Sequence, residues 1–570
     1  MQQSRTYDVV IKGGLAADGL GTPIFRADIG IRGGRIAFVG RIRGGEAGRT
    51  LDAHGALVCP GFIDLHSHSE ISVLVDRRAE SAVRQGVTTL VVGNCGLSPA
   101  PLYGRARDYV QAHSGAIGSL ADWSWDNIAS YMERLRRAEP NVNVAVLIGH
   151  RNLRAATVGL EDRPPDRDEL ANMGRLLAAG LREGAFGLSS GLDYTPGSYA
   201  TMEEMAFLVG VLRRRGGFYA THARERLGSS AAVLEAALTS LVTGHPVHIS
   251  HHKGGLWPGT GRQTMEVLAD MAQGRWPREG LGDFQFSSHR FGRRVKEVVE
   301  GRLGRAPVVN VTYDMYPYTA SRTWLKSYLP GWIISGGEEE MLRRLQAGSV
   351  RKRLREEMAR ARNGWEELVV AGSTRGSVER WRGHSLREIA QRESIEPFEA
   401  LLRVLEAGRG MVQVYNFLLD EDMLVQVLQH PLACVASDGY ALARDGPLAG
   451  ELPHPRSYGT FPRFLELMVV RRRALSWEDA IRRMTSMPAA LLGIPDRGVL
   501  RPGAAADVVV IDPERIGAGA DYHEPRRYPA GIRHVIINGK VLMQDEEMCR
   551  SGAGAGVVLR RRQPGYGKRS

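Results

Sequence analysis

The spacing of hydrophobic residues changes character along the chain, and each spacing predicts a different kind of element. Tyr7–Gly14 and Ala27–Gly40 are short β-rich runs punctuated by glycines, which predicts strands joined by tight turns. Ala506–Asp512 and His534–Leu542 near the other end have the same pattern. Neither terminal segment is large enough to enclose a core alone. The two are therefore expected to pair into one small β domain, a β-sandwich contributed by residues 1–57 and 494–548.

Between them, continuously apolar runs alternate with helical stretches. The runs are Gly61–Leu65, Gly86–Gly93, Val142–Gly149, Gly184–Ser190, Gly217–Thr221, Pro246–Ser250, Val308–Tyr313 and Leu432–Ser437. Fully buried parallel strands separated by helices predict an α/β fold, a TIM-type (β/α)8 barrel over residues 58–493. Two stretches exceed a minimal barrel: residues 273–306, and a segment near 324–430 between the seventh and eighth runs. Both are expected to be insertions that serve as lids or binding loops. Residues 549–570, rich in glycine and arginine, are expected to form a flexible tail.

Composition narrows the class. With 570 residues and 43% hydrophobic content, the chain has material for a large core and more than one domain. The start, Met1–Asp8, lacks the apolar core of a signal peptide, and no run reaches the roughly 18 apolar residues of a membrane span, so a cytoplasmic protein with no membrane partner is expected. Four cysteines in so long a chain do not make a disulfide framework. The net charge of +12 lies partly in arginine runs such as Arg213–Arg215 and Arg471–Arg473, without interleaved stacking aromatics. No nucleic-acid partner is therefore expected, and the basic field is read as attracting a small anionic substrate.

The chemistry begins in Pro60-Gly-Phe-Ile-Asp-Leu-His-Ser-His68. Side chains alternate on a strand, so His66 and His68 are expected to share a face and offer half of a metal site. Other donors follow other apolar runs: Cys95, His222, His251 and Asp438. In a (β/α)8 barrel those strand ends converge on the face that carries active sites. The competing reading, unrelated buried polar residues, requires each to find its own hydrogen-bond partners in the core. By the same alternation Lys253 is expected to share a face with His251, and His252 to point away as a structural residue. His150, which ends the third run, is left between a site and a supporting role.

With these residues in view, the chain resembles the D-aminoacylase, or N-acyl-D-amino-acid deacylase, branch of the metal-dependent amidohydrolases. The likeness is carried by Gly93-Asn-Cys-Gly96, Thr221-His-Ala-Arg-Glu225, Ser250-His-His-Lys253, Tyr316-Pro-Tyr-Thr-Ala-Ser321, Ser437-Asp-Gly439 and His454-Pro-Arg-Ser-Tyr-Gly-Thr-Phe461, and spans residues 7–545. It implies that His66 and His68 hold one metal position and His222 and His251 the other, with Cys95 as a thiolate between them. It implies Asp438 as general base and acid, and Lys253, Arg456, Tyr194 and Tyr318 as ligands of a carboxylate-bearing amide substrate. The implied cofactor is Zn2+, with one tightly held ion sufficient and a second optional. The implied reaction is hydrolysis of N-acyl-D-amino acids to a carboxylate and a free D-amino acid. Hydrolysis of cyclic amides or other N-acylated metabolites by the same metal is the alternative, and a non-catalytic binding barrel is a third reading. The chain departs from the family pattern at the 273–306 insertion and at Arg322, where a small polar residue is usual.

Overall fold

The computed structural model describes residues 6–43, 47–224, 229–252, 310–360, 364–417, 419–450, 453–549 and 554–561. The 273–306 insertion and Lys253 lie outside the described residues. No helix among the described residues is long and apolar enough to cross a membrane.

The opening strands are β1 (Tyr7–Ala16), β2 (Phe25–Arg32), β3 (Arg35–Gly40), β4 (Ala47–Asp52) and β5 (Leu57–Pro60). β2 and β3 are joined by Gly33 and Gly34, both at positive φ, the backbone that a two-residue hairpin demands. Near the other end of the chain, β17 (Val508–Ile511) pairs antiparallel with β5. Ile29, Ile31 and Ile36 of β2 and β3 share a hydrophobic cluster with Val508 and Val510 of β17, so both chain ends fold over one core.

The chain passes from β5 straight into the barrel through Gly61, where a Cβ would stand 2.3 Å from the side chain of Thr88. The barrel strands are β6 (Phe62–Asp64), β7 (Val87–Val92), β8 (Asn143–Gly149), β9 (Gly187–Gly191), β10 (Phe218–His222), β11 (Val247–Ile249), β12 (Val311–Met315) and β16 (Ala433–Val435), hydrogen-bonded in that order in one parallel sheet. Each falls within one of the eight apolar runs or overlaps it. Successive residues divide between two cores as strand geometry requires. Val91, Ala145, Leu147, Phe218, Ala220 and Cys434 fill the interior, while Leu90, Val92, Val144, Val146 and Tyr219 pack outward in the cluster shared with the surrounding helices. The two edge strands meet beyond their ends: Asp438 N donates to His66 O (2.7 Å) and His68 N to Gly439 O (2.8 Å).

The segment between β12 and β16 is a subdomain with its own hydrophobic cluster. It contains the antiparallel strands β13 (Ala320–Trp324), β14 (Val369–Ser373) and β15 (Val412–Phe417), with β15 in the middle. Residues 554–561, within the expected flexible tail, are docked: Gly556 N donates to Pro140 O and Leu559 N to Val144 O. The backbone pairing along β8 is what orders them.

Candidate metal centre

The parallel strands bring six donors from five strand ends to one buried place. His66, His68, Cys95 and Asp438 form one set whose ligand atoms all lie within 4.8 Å of one another, and Cys95, His222 and His251 form a second. Cys95 belongs to both. Its Sγ is 3.3 Å from His66 Nε2, 3.4 Å from His251 Nε2 and 3.7 Å from His222 Nδ1. Asp438 Oδ1 stands 3.2 Å from His68 Nε2 and 3.5 Å from His66 Nε2.

The backbone is bent to achieve this. Cys95 (φ 50°), His251 (φ 35°) and Asp438 (φ 48°) adopt the left-handed region, which costs a non-glycine residue about 1–3 kcal/mol. Three such residues in one cluster mark a place where geometry is held against local preference. His251 reaches the cluster as expected, but not by strand alternation, because β11 ends at Ile249 and alternation does not govern the residues beyond it. The argument that put Lys253 on the His251 side therefore does not apply. His252 N donates to the backbone oxygen of Asp314, and its ring packs on Tyr313.

A layer beneath the cluster holds these side chains in place. Asp314, an inward-facing residue of β12, accepts from His251 N at 2.8 Å, lies 2.9 Å from His248 Nε2 and stands 3.5 Å from His66 Nδ1. Asp193 Oδ2 is 3.6 Å from His222 Nε2. Carboxylates behind metal-binding imidazoles fix ring orientation and raise ligand basicity. Neither aspartate was identified from sequence. The available signal for Asp314 was strand parity continued one residue past the seventh run, which points Thr312 and Asp314 into the barrel.

The electrostatics fit a cation. Burial disfavours a charged Cys95, yet the His66 and His251 imidazoles and hydrogen bonds from His222 and His251 outweigh it and hold the thiol well below its ordinary pKa. Burial likewise opposes a charged His66, but Cys95 and Asp314 push it up to about 10. For Asp438, the raising effect of burial is outweighed by Arg456, His68 and His66, so its carboxyl lies well below the usual range. Thiolate sulfur and imidazole nitrogens around one point are the donor set that zinc favours, and a carboxylate completes the second set.

A cleft opens above the cluster, lined in part by Arg151, Tyr194, Arg322, Trp324, Gln413 and Arg456. Arg456 starts the helix Arg456–Leu465, its guanidinium 4.7 Å from the centre of the Tyr316 ring. Tyr194 lies 4.6 Å from the His222 ring, with its hydroxyl 3.3 Å from Thr323 Oγ1. Tyr318 does not line this cleft. It is fully buried and donates to the carbonyls of Pro455 and Ala520, so it braces the Arg456 loop from behind and its expected contact with substrate is corrected. His150 is also structural, with Nε2 2.7 Å from the buried carboxylate of Glu204, which also pairs with Arg154.

The profile of the amidohydrolase family matches residues 49–275 and 347–543. The N-acyl-D-glutamate deacylase of Alcaligenes xylosoxydans xylosoxydans is 34% identical over 536 residues, covering 93% of each chain. The D-aminoacylase of the same organism is 30% identical over 566 residues, covering 98% of each. Among solved structures, an N-acyl-D-glutamate deacylase from Bordetella bronchiseptica, complexed with zinc and a phosphonate mimic of the tetrahedral intermediate, superposes with a TM-score of 0.75. It is 30% identical and covers 97% of this chain and 100% of that one.

Proposed function

The chain belongs to the amidohydrolase family, and from this we propose that it is a zinc-dependent deacylase that hydrolyses the amide bond of N-acyl-D-amino acids. The observation that carries the reading is the pair of buried donor sets sharing Cys95, with the carboxylate of Asp438 at their edge and Arg456 beside it. Cys95, His222 and His251 would hold one ion, and His66, His68, Cys95 and Asp438 a second. Zinc bound there supplies a Lewis acid for the amide carbonyl and lowers the pKa of water to about 7.

The protein's own groups do the rest. Asp438 takes a proton from the water that adds to the carbonyl carbon and delivers it to the departing nitrogen, without which an amide nitrogen leaves poorly. One water is consumed, the C–N bond breaks, and a carboxylic acid and an amine result. Arg456 binds the substrate carboxylate. Its Nε is buried and makes no hydrogen bond among the described residues, a state that costs energy and that a substrate carboxylate satisfies. Tyr194, between His222 and the β13 strand, forms the wall against which the substrate is oriented. Lys253, outside the described residues, is retained as a second ligand of that carboxylate.

The test is zinc content of the purified protein together with amine release from paired N-acetyl-D- and N-acetyl-L-amino acids. The expected result is bound zinc and turnover confined to, or strongly favouring, the D series. Zinc-loaded protein that opens hydantoins and leaves every linear N-acyl amino acid intact would overturn it.

A further inference from the structure

The loop between the end of β9 at Gly191 and the helix Met202–Arg215 touches His222 at two places. Asp193 Oδ2 lies 3.6 Å from His222 Nε2, and the Tyr194 ring packs with its centre 4.6 Å from that of the imidazole. The other ring nitrogen, His222 Nδ1, is turned to Cys95 Sγ. A partner on the far nitrogen sets the orientation and tautomer of a metal-binding imidazole. The direction in which His222 presents Nδ1 therefore depends on where this loop places Asp193.

The position of the loop is in turn set by one side chain. Arg224 donates to the carbonyls of Leu192, Ser198 and Ala200, at 3.5, 2.6 and 2.8 Å. Its Nε and Nη2 also donate to the two carboxylate oxygens of Glu235, on the helix Ser229–Thr243. Together these contacts engage every N–H of the guanidinium. The Arg224 side chain is 15% exposed and that of Glu235 6%, so the pair is sheltered from the solvent that weakens surface ion pairs. The carbonyl of Thr195, in the middle of the loop, is held separately by the Tyr109 hydroxyl (2.6 Å) and by Arg151 Nε (3.3 Å).

Arg224 belongs to the Thr221–Glu225 motif, two residues past His222. β10 ends at His222, so the guanidinium is free of strand alternation and turns to the loop. The same strand end thus supplies the ligand and the clamp on the loop that orients it. A lysine here could pair with Glu235, but a single point of charge cannot span three carbonyls as a planar fork does.

We propose that Arg224 is a positioning residue for the metal centre: by clamping the loop it sets Asp193 against His222, and so fixes the ring that holds zinc together with Cys95 and His251. Its effect is exerted through the loop, not by contact with metal or substrate. This inference rests on the reading above for the identity of the metal.

Zinc affinity is measured by competition with a chromophoric chelator, on the full-length protein and on Arg224→Lys, Asp193→Asn and the double variant. Arg224→Lys keeps a cation for Glu235 and loses the fork, so it should fold and bind zinc about tenfold more weakly, within the range for partners behind metal ligands. Asp193→Asn should also weaken zinc binding. Adding Arg224→Lys to it should weaken binding little further, because the two residues act along one path and their effects are not additive. If Arg224→Lys does not fold, Arg224→Gln combined with Glu235→Gln, which removes both charges of the pair at once, takes its place with the same expectations. Wild-type zinc affinity in the Arg224 variant overturns the proposal, whatever its melting temperature, because an arginine that only anchors the helix would lower stability and spare zinc. A loss of equal size with and without Asp193→Asn also overturns it, since Arg224 would then act outside the loop. Zinc-loaded wild-type protein that hydrolyses no N-acyl-D-amino acid removes the deacylase reading and leaves the zinc affinities to decide the proposal. Wild-type protein without affinity for zinc overturns both.

Discussion

Arg456 Nη1 lies 2.8 Å from Asp438 Oδ2, and both side chains are almost entirely buried. The cation proposed to hold the substrate is thus in direct ion contact with the carboxylate proposed to move the proton. Substrate binding and chemistry meet in this pair, which makes the two residues separable only by variants that change one property at a time.

Asp438→Asn keeps the size of the side chain and removes its capacity to take a proton. Its kcat should fall by at least about 10²-fold, the range of general acid–base contributions. Zinc content and melting temperature should largely survive, because Cys95, His222 and His251 form a complete set without it. A zinc-loaded variant with near-normal kcat would sink the proton-transfer role, and loss of zinc with recovery on adding metal would make Asp438 a ligand alone.

Arg456→Ala should raise KM for carboxylate-bearing substrates more than for an amide analogue lacking that charge. It also leaves Asp438 buried without its cation, and breaking a buried pair in this way costs about 3–5 kcal/mol, so the melting temperature should drop. Arg456→Lys should restore much of the stability and little of the KM, since a point charge cannot reproduce the planar fork. Equal KM losses on charged and neutral substrates would assign Arg456 to structure.

Removing His222, His251 or Cys95 by alanine should strip most of the zinc, because each is one of three ligands in its set. Asp314→Asn touches none of the metal positions, yet it disturbs the group that holds His251 N and His248. Zinc affinity should fall about 10–100-fold, as it does when partners behind metal ligands are lost. Competition with a chromophoric chelator reads both effects. Full zinc retention in Cys95→Ala would move the centre elsewhere.

Acid should weaken the attachment of the insertion to the barrel. Lys326 and Glu338 of the insertion form a buried ion pair, and His113, at the end of a barrel helix, lies 3.9 Å from the same carboxylate. Burial, together with Lys326 and Arg151, pushes His113 down to about 3 from 6.5. Burial raises Glu338, but Lys326 and His113 outweigh it and bring it to about 2 from 4.5. Both folded values lie below the unfolded ones, so both contributions are complete at high pH and are lost on acidification. The His113 share is lost between about pH 6.5 and 3, and the Glu338 share between about pH 4.5 and 2. Urea unfolding across this range should show stability falling from pH 6.5 downward, with His113→Gln flattening the upper part of the curve. A wild-type curve flat from pH 7 to 4 would contradict it.

Much of this molecule is written locally. Parallel strands buried on both faces must be continuously apolar, and so the eight runs stood out between the glycine-punctuated ends that build the β domain. The donors His66, His68, Cys95, His222, His251 and Asp438 were legible because each follows such a run, and barrel geometry leaves strand ends one common face. Arg322 was legible as a departure from the family pattern, without a role.

Contacts between residues far apart along the chain set the rest. Strand alternation predicts facing only while the strand lasts, and Cys95, His251 and Asp438 leave theirs through left-handed backbone that no periodicity announces. Asp314 is one more polar residue just past an apolar run until β11 and β12 pair and set it beneath His66 and His251. Tyr318 and Tyr316 are two residues apart in one motif, and only packing turns the first toward the carbonyls of Pro455 and Ala520 and places the second against Arg456. Arg322 and Gln413 are separated by 91 positions, and their meeting over the cleft depends on the register of β13 against β15. The strands and the donors at their ends could be read before any fold was known, because both follow from local periodicity. Which groups hold those donors, and which cations face the substrate, emerged only on folding, because hydrogen bonds and ion pairs act over a few ångströms of space regardless of distance along the chain.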